Sequence, residues 1–70
     1  MKEAKIRELI ALVTTAVRNG VITKPQGASM KRHIRTHSNS EGHHLAMIKY
    51  MQNGFTFQES HDKAIKSVGR

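Results

Sequence analysis

Between Lys2 and Arg18 the apolar residues Ile6, Leu9, Ile10, Val13, Ala16 and Val17 recur at three- and four-residue spacing, while Lys5, Arg7, Glu8 and Arg18 fall largely elsewhere on the helical wheel. This pattern predicts an amphipathic first helix with its stripe toward a core. Asn19-Gly20 closes it, since glycine enters the left-handed conformation of a helix end at little cost. Val21-Ile22 is a short apolar connector. Thr23-Lys24-Pro25-Gln26 then supplies a capping residue, a proline tolerated in a first turn and a glutamine three positions after the threonine. Gly27 weakens that start, so the second helix is expected to begin near Ser29, with Met30, Ile34 and His37 on one face and Lys31, Arg32 and Arg35 toward solvent.

Ser38-Asn39-Ser40 is a break, because these side chains compete for backbone hydrogen bonds. Glu41, three positions after Ser38, predicts a capping box for a third helix that carries Leu45, Met47, Ile48 and Met51 inward and stops at Gly54. Thr56 and Glu59 predict a second capping box and a fourth helix, with Phe55 and Phe57 pinning the corner and Phe57, His61, Ala64, Ile65 and Val68 sharing a face. No strand-length alternation, internal repeat or low-complexity tail interrupts the pattern. The expected fold class is all-α: one domain over residues 1–70, a compact bundle of three to four helices with a helix-turn-helix-like corner near Gly54. Its expected core is Ile6, Leu9, Ile10, Val13, Val17, Ile34, Ile48, Met51, Phe55, Phe57 and Ile65.

Aromatic residues are only 4% of the chain, so the core rests on aliphatic side chains and methionine, and it is thin. Met47, Met51 and Phe55 could serve a homodimer as readily as a core. Charge changes the picture more. Twelve Lys and Arg against five Asp and Glu give a net charge of +7, which points to a polyanionic partner. Three basic side chains and four of the five histidines fall between Met30 and His44, with Glu41 the single acid there. There is no cysteine, hence no disulfide and no thiolate metal site, and a cytoplasmic location is the simplest expectation. No apolar run approaches the roughly 20 residues that span a bilayer, so no membrane partner is expected.

Arg32-His33-Ile34-Arg35-Thr36-His37 looks like the helix end of a two-Cys, two-His zinc finger, but the resemblance covers about eight residues and the upstream cysteines are missing. A cysteine-free site from His33, His37 and one of His43 or His44 is conceivable, because i and i+4 histidines share a helix face. That ligand set matches no structural zinc class, so the sequence assigns no metal and no cofactor. Met51 to Glu59 is similar to the first corner of bacterial helix-turn-helix domains. The resemblance implies a tight helical corner; the base-reading helix of that family would have to lie beyond the fourth helix, or else carry Glu59 and Asp62 against phosphate.

No nucleophilic cysteine, paired carboxylates, glycine-rich phosphate loop or metalloprotease spacing appears, so a non-enzymatic role is expected. The expected function is nucleic-acid binding, DNA before RNA, by a small regulator or accessory factor, with Lys24, Lys31, Arg32, His33, Arg35, His37 and Lys49 as the contact residues. Arginine offers phosphate a planar fork and lysine a mobile point charge. Base contacts, if made, would come from Arg32, His33 and Arg35 or from Gln58, Lys63 and Lys66. The alternative is an inhibitor or adaptor that docks the same basic surface on an acidic protein. The histidines also raise the option of binding that changes between about pH 5 and 7.

Overall fold

The computed structural model describes residues 2–37 and 40–69 and contains four helices: α1 (Glu3–Arg18), α2 (Lys24–Thr36), α3 (Glu41–Gln52) and α4 (Phe57–Ser67). Among the described residues there is no strand. The most extensive contacts lie within two successive hairpins, α1 with α2 and α3 with α4, and α2 meets α3 and α4 over smaller patches. Lys5 at the start of α1 reaches Glu41 at the start of α3 at 3.3 Å, which brings those two helix N-termini to one end of the bundle.

Three of the four helix starts are built by their caps. The Thr23 hydroxyl accepts from the Gln26 N–H at 3.2 Å while Gln26 Oε1 accepts from the Thr23 N–H at 2.9 Å, completing a capping box with Pro25 in the first turn. The same arrangement joins Thr56 and Glu59, and both backbone and side-chain hydrogen bonds from Thr56 hold the Glu59 carboxyl below its ordinary range. The cap of α3 is Ser40, whose hydroxyl accepts from the His43 N–H at 3.2 Å. The expected box between Ser38 and Glu41 rests on Ser38, which lies outside the described residues. Gly20 and Gly54 adopt φ of 73° and 96°, the left-handed turns expected after α1 and α3. The α3–α4 turn is short, but a helix-turn-helix geometry is not established by it.

Gly27 is where the sequence reading fails. The second helix starts at Lys24, not near Ser29, and Gly27 is buried inside its second turn. A Cβ there would lie 2.5 Å from Val17 Cγ2, so glycine is what allows α2 to seat against α1. The entropic cost of glycine is offset by the close helix contact and the strong cap.

The buried apolar core is Leu9, Val13, Ala16, Ile22, Met30, Ile34, Met47, Ile48, Met51 and Ala64, with Ile6, Ile10, Val17, Ala46 and Phe57 packed partly buried around it. Leu45, Ile65 and Val68, expected inward, are exposed. Met47 and Met51 face the interior and so are not surface for a dimer. Each replacement has the same reason: the inward arc of α3 is filled by His43, His44, Met47, Ile48 and Met51, and that of α4 by Ser60 and Ala64. Gln26 ties the two hairpins together, its Nε2 donating to the Phe55 carbonyl at 3.1 Å.

Candidate functional site: buried histidines beneath a cationic helix face

His33 lies on α2 one residue before Ile34 and three after Met30, at the edge of the helix arc that faces the core. His43 and His44 occupy the first turn of α3, and both are completely buried, as His33 nearly is. The ring of His33 is a hub. Its centroid lies 4.7 Å from His37, 5.5 Å from His43, 5.1 Å from His44 and 5.3 Å from His61, which gathers all five histidines of the chain. Phe57 closes one side, edge-on to His33 at 5.9 Å.

Hydrogen bonding orients the cluster. His43 Nδ1 donates to the Gly69 carbonyl at 2.8 Å, because a carbonyl only accepts. In the neutral ring this leaves His43 Nε2 as an acceptor, and it accepts a hydrogen bond from His33 Nε2 at 3.3 Å. His44 has no such arrangement: neither Nδ1 nor Nε2 makes a hydrogen bond, although both are buried. Burial pushes His33 down to about 4, with the neighbouring histidines adding to the effect. Burial likewise holds His44 at about 4; the His37 backbone opposes the shift, but no hydrogen bond of proper geometry reaches either His44 nitrogen. His33 and His44 are therefore uncharged at neutral pH.

One nitrogen from each of His33, His43 and His44 lies within 4.8 Å of the other two. Among the described residues this is the single group of three or more potential metal-ligating side chains so placed. The set differs from the one the spacing suggested, which used His37; His37 is exposed and stands outside it. What sequence reasoning missed is that His43 and His44, at consecutive positions, both turn inward. The only signal for that is the wide apolar arc of α3, which His43 and His44 extend at four-residue spacing from Met47 and Ile48.

The expected nucleic-acid contacts divide. At about 100° per residue, Lys24, Lys31, Arg35 and Arg32 span an arc of roughly 100° on α2, opposite the buried Met30, Ile34 and His33. Lys24, Arg32 and Arg35 are exposed and Lys31 is half-buried. Lys24 and Lys31 border a groove with Thr14 and Val17 of α1, Arg35 one with Glu3, Arg7 and Ile10, and Arg32 one with Ser29, Thr36, His37 and Phe57. His33 is inside the fold and presents only an edge to that last groove, so it is not a surface contact like its basic neighbours. Lys49 sits on the exposed stripe of α3 with Leu45 and Gln52, apart from the α2 face. Lys63 lies over the Phe55 ring at 4.5 Å.

The carboxylates are engaged elsewhere. Glu3 pairs with Arg7 at 3.5 Å, Glu8 and Glu41 with Lys5 at 3.2 and 3.3 Å, Glu59 caps α4, and Asp62 accepts from Gln58 at 3.1 Å. Among the described residues, none of the four α2 cations has an ion-pair partner. No protein-family model matches the chain, and no curated protein or solved structure does either.

Proposed function

We propose that the chain is a small non-enzymatic nucleic-acid-binding protein that sets Lys24, Lys31, Arg32 and Arg35 of α2 against the phosphate backbone, DNA before RNA. The observation that carries this reading is that all five Asp and Glu side chains are engaged away from α2, which among the described residues leaves the four cations on one arc without an ion-pair partner. A cationic stripe of this kind releases condensed counterions when it meets a polyanion, which supplies affinity without sequence information. His37, exposed at the end of α2, borders the same surface; Lys49 adds charge from another helix stripe.

The test is the salt dependence of affinity for duplex DNA, single-stranded DNA and RNA, measured by fluorescence anisotropy. Three to four phosphate contacts predict a log-log slope of about −2.7 to −3.6 on duplex DNA, at about −0.9 per contact. A flat slope overturns the reading. So does binding that the double substitution Lys31→Ala, Arg35→Ala leaves unchanged.

A further inference from the structure

We propose that His33, His43 and His44 form a binding site for one zinc-type transition-metal ion, held through imidazole nitrogens, that fastens α2 to α3. This does not rest on the nucleic-acid reading. It stands on three observations about the cluster itself.

The first is spacing. Two nitrogens each about 2.0–2.1 Å from a tetrahedral zinc lie about 3.3–3.4 Å apart. His33 Nε2 and His43 Nε2, joined by a hydrogen bond in the metal-free chain, are already 3.3 Å apart, and the His44 nitrogen lies within 4.8 Å of both; an ion takes the place of that hydrogen bond, with the His33 proton released from Nε2. The second is orientation. A ligating histidine ordinarily donates its other ring N–H to a carbonyl or carboxylate, which fixes the tautomer and aims the lone pair. His43 does this through Gly69. The third is the state of His44. A fully buried imidazole with neither nitrogen partnered leaves a donor and an acceptor desolvated, and such groups call for a partner. A metal ion supplies one for the bare nitrogen.

The donor set narrows the ion. Imidazole nitrogens without thiolate or carboxylate suit zinc, copper, nickel and iron, whereas magnesium and calcium require oxygen. The three nitrogens define one face of a tetrahedron; the fourth position belongs to water or an exogenous donor. Its place in the fold gives the ion a role. The cluster sits where α2 meets the α3–α4 hairpin, over patches smaller than those within each hairpin. A metal there joins the two halves of a domain whose core is short of large side chains, the situation in which small proteins use staples.

The experiment strips the untagged chain with a chelator and titrates it with Co²⁺, followed by Zn²⁺. The expected result is saturation at one equivalent with the visible absorption of tetrahedral cobalt, bleached by zinc, and a rise in melting temperature. His43→Ala and His44→Ala each weaken binding by more than ~100-fold, beyond the loss typical of an outer-shell partner, and His37→Ala does not change it. Imidazole nitrogen NMR shifts of the unsubstituted protein give a readout that is independent of whether the variants fold: zinc moves the ring nitrogens of His33, His43 and His44. Absence of binding at one equivalent by the folded chain, shifts confined to His37, or equal loss in His37→Ala overturns the site.

Discussion

The Cβ that alanine would place at Gly27 lies 2.5 Å from Cγ2 of Val17, closer than non-bonded carbon atoms approach. Glycine inside a helix is ordinarily a weakness, and replacing it with alanine ordinarily stabilises by up to about 1 kcal/mol. Here the sign reverses. Gly27→Ala is expected to destabilise by about 1–3 kcal/mol through overpacking, read from a denaturant melt. Adding Val17→Ala removes the obstructing methyl group, so the double variant should be more stable than the sum of the single effects, with a coupling of about 0.5–3 kcal/mol. Additive effects would show that the helix contact is not what requires glycine.

Gln26 offers a sharper separation of two roles. Its Oε1 closes the capping box and its Nε2 donates to the Phe55 carbonyl. Gln26→Glu keeps the first and replaces the second with two acceptors face to face, and should cost at least about 0.5–1.5 kcal/mol, the net worth of one hydrogen bond. Thr23→Ala removes the cap instead, at about 1 kcal/mol. Chemical denaturation of both variants checks this, and Gln26→Glu with full stability would mean that the link between the hairpins is idle.

Acid should unfold the metal-free protein early. His33 and His44 stand at about 4 in the folded chain against an ordinary 6.5, so between those values the unfolded chain binds protons that the folded one refuses. The contribution of these two rings is therefore full above pH 6.5, is lost as pH drops toward 4, and does not change below. Each histidine contributes at most about 1.4 kcal/mol per pH unit in that window. A domain this small has about 3–5 kcal/mol to lose, so the transition should come before pH 4 is reached. Melting temperature against pH, with chelator present, checks it; a flat profile from pH 7 to 4 would contradict it.

Ser60 is fully buried and its hydroxyl has no partner. Ser60→Ala removes an unsatisfied polar group at little loss of volume, and is expected to be neutral or to stabilise by about 1 kcal/mol. A large loss of stability would reveal a partner for the hydroxyl.

The fold was legible because helix starts and stops are local. Thr23, Thr56, Asn19-Gly20 and Gly54 mark boundaries through chemistry that acts within four residues, and the first helix announces itself by periodicity. What was not legible depends on contacts between helices. Gly27 reads as a breaker until Val17 is set beside it, and Leu45, Ile65 and Val68 read as core until His43, His44 and Ser60 are seen to occupy those places. The candidate site divides the same way. The α2 cations could be read as one exposed surface, since charge and wheel position suffice. The histidine cluster could not, because His33 and His44 are joined only through the packing of α2 on α3, and an imidazole is as much at home on a surface as inside.

The hydrogen bond from His43 to the Gly69 carbonyl hitches the segment after α4 to a fully buried ring. An affinity handle attached beyond Gly69 would adjoin that hitch, so material for biophysical work is better carried on the opposite terminus, with no histidine-rich purification sequence left behind. The same connection makes this segment a reporter: a fluorophore placed just beyond it should register events at the ring without touching it.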